Sequence, residues 1–276
     1  MVPPKAQGDD FLGRFREVVS DPLNLLIERV PMAGVVEGTD VCLHNGVRVP
    51  VVGEHAYYGA FSQLLVINRG VHEPLEEYVF QQLIKILPEA PVMIELGAYW
   101  GHYSMWLKKL RLQATVILVD PDAANLAAGA SNFRRNGFSG EFIQAFVGAG
   151  QLEIDSFREK RKLAKIDVLH ADVQGYETEM LQGCQNSLKE RRVDYLLVST
   201  HSGEKHAGVV TALAGLGYRI EVASDFDKET TSFDGFVFAS SPDVPKVFQK
   251  FAPLGRTTIA ESSPARLLQG LLDIAC

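Results

Sequence analysis

Two glycines and two acidic residues are spaced so that they could hold a small molecule at the end of a buried strand. The apolar run 92–96 predicts that strand, and Gly97 after it lets the backbone approach a ligand with no Cβ in the way. Gly101 lets the following helix begin close to the strand. Glu95 could hold an ammonium group by a charge-assisted hydrogen bond. Asp120 lies 23 residues beyond Gly97, near the spacing of about 20 expected for an acid that accepts hydrogen bonds from ribose hydroxyls.

The same loop favours S-adenosylmethionine over a dinucleotide. Its spacing, Gly-x-x-x-Gly, differs from the Gly-x-Gly-x-x-Gly pattern whose glycines admit a pyrophosphate. Glu95 would repel a pyrophosphate, whereas it would attract the ammonium group of S-adenosylmethionine. Proline after the second acid stops the strand and fixes the turn that presents that acid. The predicted cofactor-binding residues are therefore Glu95, Gly97, Ala98, Gly101, Asp120 and Pro121.

A second group of polar residues follows two later strands, where an acceptor could bind. Asp172 and Gln174 follow one apolar strand, and His201 follows the next. Because neighbouring parallel strands end at the same edge of a sheet, we expect these residues in one crevice. A histidine with a pKa near 6.5 could remove the proton of an acceptor hydroxyl. We predict Asp172 and His201 as catalytic residues, and Gln174, Glu177 and Tyr99 as substrate contacts. A solvated loop role for His201 and compensation of a helix dipole by Glu177 stay open.

Metal binding is a weaker interpretation of the same crevice. Asp172, Gln174 and His201 could hold a divalent cation that lowers the pKa of the acceptor hydroxyl. One carboxylate, one imidazole and one amide form a thin ligand set, so we predict no metal. Asp167, at the opposite end of its strand, is predicted to be structural. No comparable setting is evident for His44, His55, His72, His102 and His206.

Strands and helices alternate from residue 92 onward, and these elements must position the residues above. Continuous apolar strands indicate a sheet buried on both faces, and the alternation predicts right-handed crossovers. We therefore predict an α/β fold with a doubly wound, Rossmann-like sheet of class I methyltransferase type. It has seven strands, and the last is antiparallel because a short link joins it to the sixth.

The chain outside this alternation divides into an N-terminal module, residues 1–70, and a helical tail, residues 241–276. The module is predicted to contain helices over 9–19 and 22–29 and a hairpin at Asn45-Gly46, whose two turn residues would both need positive φ. The tail is predicted to form an amphipathic helix over 264–274 that packs on the body or on a partner subunit. The domain between them is residues 71–240.

Three stretches, 92–107, 117–137 and 152–183, resemble the FkbM family of S-adenosylmethionine-dependent methyltransferases. The last is the most specific, with Asp-x-x-Gly-x-Glu followed by Met-Leu-x-Gly. The resemblance covers about residues 70–240 and implies O-methylation of sugars, polyketides or other secondary metabolites. It implies cofactor binding by Glu95, Gly97, Gly101 and Asp120, an acceptor facing Asp172, and additional cofactor contacts from Glu73 and Glu76. The family usually has Glu where Gln174 stands and often has Glu where Ser199 stands, so a carboxylate-based mechanism is in doubt there.

Composition limits the partners that this chain could have. A net charge of −7 without a basic face disfavours nucleic acid and anionic membranes, and no apolar run reaches the roughly 20 residues of a membrane span. Three distant cysteines and an N-terminus without a secretory pattern indicate reduced thiols in the cytoplasm. We predict an O-methyltransferase acting on a small molecule or glycan, with a homo-oligomer possible. An NAD-dependent oxidoreductase and a catalytically inactive binding protein stay open as alternatives.

Overall fold

The computed structural model describes residues 10–57, 59–226, 230–232 and 234–275, and its first element is helix α1 (Phe11–Ser20). The side chain of Asp10 caps this helix by accepting a hydrogen bond from the backbone N–H of Gly13. Asp9, the predicted start, lies outside the described residues. The predicted helix over 22–29 is wrong, since only a 3-10 turn forms at Pro22–Leu25. Gln81 binds the backbone at Leu26 and Glu28 instead, and these contacts replace intrahelical hydrogen bonds.

A small antiparallel sheet follows, with strands β1 (Val36–Glu37), β2 (Asp40–Cys42) and β3 (Arg48–Pro50) in that order. The hairpin predicted at Asn45-Gly46 joins β2 to β3 and is confirmed. Its turn differs from the prediction, because Gly46 has φ +83° while Asn45 keeps a negative φ. The loop is one residue longer than a two-residue turn, so a single left-handed glycine is enough to close it.

Seven strands form the central sheet, and the predicted fold class is confirmed. The strands are β4 (Val92–Leu96), β5 (Thr115–Asp120), β6 (Glu141–Gln144), β7 (Ile166–Ala171), β8 (Val193–Thr200), β9 (Arg219–Ser224) and β10 (Gly235–Ser240). Their order is β6-β5-β4-β7-β8-β10-β9. Strand β10 is antiparallel to both of its neighbours, as predicted, whereas β4 to β8 run parallel. The direction of winding reverses between β4 and β7, the place where open α/β sheets bind ligands.

Helices connect these strands and cover the sheet. They are α2 (Gln63–Ile67), α3 (Pro74–Ile86), α4 (His102–Leu110), α5 (Ala123–Arg135), α6 (Ile154–Arg161), α7 (Glu177–Gln182), α8 (Gln185–Lys189), α9 (Gly203–Gly215), α10 (Arg256–Glu261) and α11 (Pro264–Ala275). The apolar period of residues 178–190 predicts one helix, which is wrong because the chain breaks between α7 and α8. The apolar run 141–148 predicts a strand that ends at Gly148, but β6 ends four residues earlier, at Gln144. Within the described residues, no helix is both long and apolar enough to cross a membrane.

Two apolar cores lie on the two faces of the sheet, as the continuous apolar strands predicted. Alternate residues of β4 separate into them, with Met93 on one side and Ile94 on the other. The core around Met93 also contains Leu43 and Leu65, so it continues into the N-terminal module without a boundary. The module therefore packs against the same sheet edge that carries the predicted site.

Candidate active site

Gly97 brings the loop after β4 against the end of β7. It has φ +70°, and a Cβ placed on it would lie 1.7 Å from the carbonyl oxygen of Asp172. The backbone N–H groups of Gly97 and Ala98 both donate to the carbonyl of Val119, at 2.8 and 3.0 Å. This loop is thus held between β5 and β7, at the point where the direction of winding reverses. A side chain at Gly97 would force the two loops apart.

Gly101 has a positioning role, as its spacing suggested. It precedes α4 with φ +75°, and a Cβ there would lie 2.9 Å from Leu118 and 3.1 Å from Phe133. Gly101 therefore allows α4 to start close to the sheet. It contacts the apolar interior rather than a cavity wall, so any effect on the cofactor is through the loop.

Two cavities meet over this loop. The β5 cavity, about 470 Å³, lies over the ends of β5 and β6, and its walls include Asp120, Pro121, Asn125, Phe146 and Val147. The N-terminal cavity, about 350 Å³, lies between the sheet and the N-terminal module, and its walls include Arg14, Tyr57, Glu73, Glu95, Trp100 and Asp234. Four residues line both cavities, namely Gly97, Tyr99, Asp172 and Gln174. One ligand could therefore extend from the first cavity to the second.

Two of these shared residues have strained backbones. Tyr99 has φ +43° and Gln174 has φ +49°, in the left-handed region that side chains other than glycine adopt at a cost. Such conformations concentrate at sites where the surrounding structure fixes them for function. Their placement at the junction of the two cavities supports the prediction that both residues contact a ligand.

Asp120 organises the wall of the β5 cavity. Its carboxylate accepts hydrogen bonds from the backbone N–H groups of Tyr99 (3.0 Å) and Asp122 (2.8 Å) and from the amide of Asn125 (3.1 Å). Because each carboxylate oxygen can accept two hydrogen bonds, Oδ2 keeps capacity for a ligand hydroxyl. Sequence reasoning missed Asn125 and also Phe146, which is 53% exposed at the cavity. The signal available in the sequence was the apolar residue Phe146, shortly after the end of β6.

Glu95 lies at the inner wall of the N-terminal cavity. It is buried, and its Oε2 accepts a hydrogen bond of 3.0 Å from the backbone N–H of Ser104 near the start of α4. Burial raises the pKa of Glu95, although His170 and the hydrogen bond from Ser104 partly offset that effect. A cation in the cavity would stabilise the ionised carboxylate. This arrangement suits the ammonium role predicted for Glu95.

His201 is held between carboxylates at the end of β8. Its Nδ1 is hydrogen-bonded to Glu177 at 2.5 Å, and its Nε2 lies 3.1 Å from Asp172 and 3.4 Å from Asp234. Burial alone would lower the pKa of His201, but these carboxylates outweigh it and raise the pKa to about 10. The expected pKa near 6.5 is therefore wrong for this histidine. It is an imidazolium at neutral pH, so it orients and stabilises negative charge rather than accepting a proton.

Glu177 binds His201 in addition to placing a negative charge at the start of a helix. It is fully buried at the start of α7, where it binds His201 and accepts a hydrogen bond of 3.0 Å from the backbone N–H of Gly175. Burial acts to raise the pKa of Glu177, but the hydrogen bond to His201 reverses the effect and the pKa is lowered. The structure places Glu177 behind His201, away from both cavity walls. Its contact is with the imidazole, whereas sequence analysis had placed it against the substrate.

Asp172 and Asp234 face the N-terminal cavity with different proton affinities. Burial acts to raise the pKa of Asp172, but contacts with His201 and Gln174 lower it overall. Burial and the charge of Asp172 raise the pKa of Asp234 to about 7. Asp172 is thus ionised at neutral pH, and Asp234 is poised to gain or lose a proton. Sequence reasoning missed Asp234, although an acid just before the seventh strand is visible in the sequence.

Asp172, His201 and Asp234 together form a candidate cation-binding set. Ligand atoms of Asp172, His201 and Asp234 all lie within 4.8 Å of one another. The amide of Gln174 donates a hydrogen bond of 3.0 Å to Asp172 beside this set. As long as His201 is an imidazolium, its Nε2 carries a proton, so only the two carboxylates could bind a cation.

Helix α3 places further carboxylates beside β8. Ser199 donates a hydrogen bond of 2.7 Å to Glu76, and Tyr103 donates one of 2.9 Å to Glu73. Burial and the charge of Glu73 raise the pKa of Glu76 well above its usual value. The family resemblance raised the question of a carboxylate missing at Ser199. In this chain Glu76 from α3 brings a carboxyl group to the same place.

The sequence profile of the Methyltransferase FkbM domain matches residues 71–220. Comparison with curated proteins gave no match. Similar solved structures include precorrin-6y C5,15-methyltransferase from Geobacter metallireducens, with 16% identity, 60% of this chain and 87% of that chain covered, and a TM-score of 0.44. TrmK of M. capricolum in complex with S-adenosyl-homocysteine has 12% identity, coverage of 70% and 81%, and a TM-score of 0.42. A methyltransferase from Pyrococcus furiosus has 16% identity, coverage of 60% and 81%, and a TM-score of 0.40.

The family match and the strand order together define the class of this protein as a methyltransferase. The chain belongs to the FkbM methyltransferase family, since the matched region spans more than half of its length. The expected family is confirmed. The oxidoreductase alternative rested on the Rossmann-like layout alone, and the family match is to methyltransferases instead.

Proposed function

We propose that this chain transfers the methyl group of S-adenosylmethionine to a hydroxyl of a small molecule or glycan. The observation that carries the proposal is the pair of cavities joined at Gly97 and Asp172. Asp120 would accept hydrogen bonds from the ribose, and Phe146 would cover the adenine. Glu95, in the second cavity, would receive the ammonium group, so the donor would lie across the junction.

The acceptor would enter the N-terminal cavity. The bound sulfonium supplies a methyl group that is already activated, so the protein mainly has to align the hydroxyl oxygen with it. The negative charge of Asp172 would raise the proton affinity of the neighbouring Asp234. Asp234 would take the proton as the oxygen–methyl bond forms, since its pKa of about 7 suits a base at neutral pH. His201 would hold both carboxylates in place and stabilise the ionised Asp172.

The walls of the N-terminal cavity favour a neutral or cationic acceptor with a flat apolar face. Carboxyl groups of Glu73, Asp172 and Asp234 line it and outnumber the guanidinium of Arg14, so the wall favours an acceptor without an acidic group. Tyr57 and Trp100 line the same cavity, with ring centroids 4.9 Å apart and ring planes tilted by 36°. Aromatic faces of this kind bind the C–H faces of sugars and the rings of secondary metabolites. These features support the predicted small-molecule or glycan acceptor.

Calorimetry with S-adenosylhomocysteine and with NAD tests the donor half. We expect one site for S-adenosylhomocysteine and none for NAD. Asp120→Ala should weaken S-adenosylhomocysteine binding at least tenfold, because it removes the ribose acceptor and the support of the Tyr99 loop. Asp243→Asn, at an exposed position, is the matched control and should leave binding unchanged. Binding of NAD in preference to S-adenosylhomocysteine would overturn the donor assignment.

Transfer of a labelled methyl group to a fractionated pool of hydroxylated metabolites tests the acceptor half. Asp234→Asn should reduce kcat by about 10²–10⁴-fold while S-adenosylhomocysteine binding persists, as expected for loss of a base. Labelling of amine nitrogens instead of hydroxyls would show that the chain is not an O-methyltransferase. Cofactor binding without transfer to any pool would instead identify it as an inactive binding protein.

A further inference from the structure

Four buried side chains meet behind the N-terminal cavity, at a place that the proposed reaction does not use. His44 comes from the β2–β3 hairpin, His72 precedes α3, Glu77 lies on α3 and His102 begins α4. Their exposed fractions are 1%, 3%, 0% and 2%. Sequence analysis found no special setting for these histidines, because the hairpin and the two helices that unite them are distant along the chain.

The two oxygens of Glu77 have different surroundings. Oε1 accepts hydrogen bonds from the backbone N–H groups of His72 (2.9 Å) and Glu73 (3.2 Å), and it lies 2.5 Å from Nδ1 of His72. Oε2 lies 3.1 Å from Nε2 of His44, yet it has no partner in hydrogen-bond geometry within the described chain. Oε1 is thus anchored and also lies 3.8 Å from Nε2 of His102, whereas Oε2 is directed at His44.

The other nitrogens of these imidazoles lack hydrogen-bond partners. Among the described residues, Nδ1 of His44 and both ring nitrogens of His102 have none, and Nε2 of His44 pairs with Glu77. Buried polar groups are normally satisfied, and an unsatisfied imidazole N–H costs free energy. One nitrogen of each ring and one oxygen of Glu77 lie within 4.8 Å of one another, close to the spacing of ligands around a common ion.

We propose that His44, Glu77 and His102 bind a divalent transition-metal ion, and that this ion is Zn²⁺. Two imidazoles and a carboxylate form a donor set that suits zinc, whereas Mg²⁺ and Ca²⁺ prefer oxygen ligands. The fourth ligand is a water from the N-terminal cavity, whose wall includes His72 and His102, because Nδ1 of His72 is already paired with Glu77.

The surroundings resemble the support that metal ligands receive in proteins. Backbone N–H groups fix the carboxylate of Glu77 through Oε1. Trp106 packs edge-on against His44 at 4.4 Å, and Trp100 stacks on His102 at 5.3 Å, which limits rotation of both rings. Second contacts of this kind orient ligands and raise metal affinity. The ion would join the hairpin to α3 and α4, and so fix the loop that begins at Gly97.

Cobalt substitution tests this site in the full-length protein. Protein treated with a chelator is titrated with Co²⁺ without methyl donor, so the result does not depend on the proposed methyl transfer. We expect one Co²⁺ per chain with the visible absorption of a four-coordinate nitrogen and oxygen site, and displacement of Co²⁺ by Zn²⁺. Metal analysis of untreated protein should find about one zinc per chain. An absence of both signals would overturn the proposal.

Variants locate the ion. His44→Gln and His102→Gln should each abolish the cobalt absorption, whereas His55→Gln, on a loop outside the cluster, should retain it. His201→Gln should also retain it, which excludes binding at Asp172 and Asp234. Should the cluster variants fail to fold, X-ray absorption of the zinc in wild-type protein decides, because it must show at least two imidazoles. Loss of the signal in His201→Gln alone would assign the metal to the active site and refute this proposal.

Discussion

At the scale of single residues, Gly97 is a position where the surrounding backbone leaves no room for any residue other than glycine. Gly137 has a nearly identical φ, +71° against +70°, but a Cβ there would meet nothing within 4 Å. Alanine variants at these two glycines therefore distinguish the cost of backbone strain from the cost of a steric clash. Gly137→Ala should cost about 1–2 kcal/mol of unfolding free energy, the strain of a left-handed alanine. Gly97→Ala should cost more and should abolish S-adenosylhomocysteine binding, as measured by urea unfolding and calorimetry. Equal costs for the two variants would contradict the tight crossing of the Gly97 loop with Asp172.

His201 predicts a pH dependence of stability. Its folded pKa of about 10 lies above the unfolded value of about 6.5, so the folded protein binds the proton more tightly. The resulting stabilisation is complete below about pH 6.5 and is lost as the pH rises toward 10. Urea unfolding should show the stability difference between wild type and His201→Gln shrinking across this range. His55→Gln serves as the control. A difference that grows with pH would mean that His201 is neutral in the folded protein.

The donor residues could be predicted from sequence, whereas the charge state of the acceptor residues could not. Gly97, Glu95 and Asp120 are read from spacing after strands, because a parallel sheet brings consecutive strand ends together. The pKa of His201 is raised mainly by Asp172 and Glu177, and Asp234 adds to this from the turn before β10. No local pattern reports such a contact. For the same reason the cluster of His44, Glu77 and His102 could not be predicted from the sequence.

At the scale of elements, apolar runs located all seven strands of the main sheet, but helix boundaries depended on contacts from elsewhere. The run 178–190 has the period of one helix, yet it forms α7 and α8. Asp155 on α6 accepts hydrogen bonds from the backbone N–H groups of Asn186 (2.8 Å) and Ser187 (2.7 Å), so it caps α8 from a different element. The pattern of apolar residues does not predict that cap.

Asp155→Ala should therefore destabilise the protein by about 1 kcal/mol, since it removes a helix cap. Asp155→Asn should recover part of the loss, because the amide oxygen can accept one of the two hydrogen bonds. Glu159→Ala, at an exposed position on the same helix, should change stability by less than about 0.5 kcal/mol. Thermal unfolding of the three variants measures these differences. Equal melting temperatures for Asp155→Ala and Glu159→Ala would show that the cap contributes nothing.

At the scale of the whole molecule, the N-terminal module, predicted from the change in sequence character near residue 70, shares a core with the sheet. Twelve of its side chains belong to the core that also contains Phe80 and Met93. It also forms one wall of the N-terminal cavity through Arg14 and Tyr57. A change of pattern along the chain shows where the α/β alternation starts. It cannot show which apolar side chains share a core.

Deleting residues 1–70 should therefore leave a chain that does not fold. The deletion removes twelve buried apolar side chains, each worth about 1.5–3 kcal/mol of burial, and exposes to water the apolar surface of the remaining chain that they cover. Deleting residues 263–276 is the control, because Leu268 and Leu272 of α11 are exposed while Leu271 is buried. That truncation should remain folded with a moderately lower melting temperature. Solubility and circular dichroism compare the two. A folded fragment 71–276 that binds S-adenosylhomocysteine would mean that the module is an accessory domain and that the donor site is complete without it.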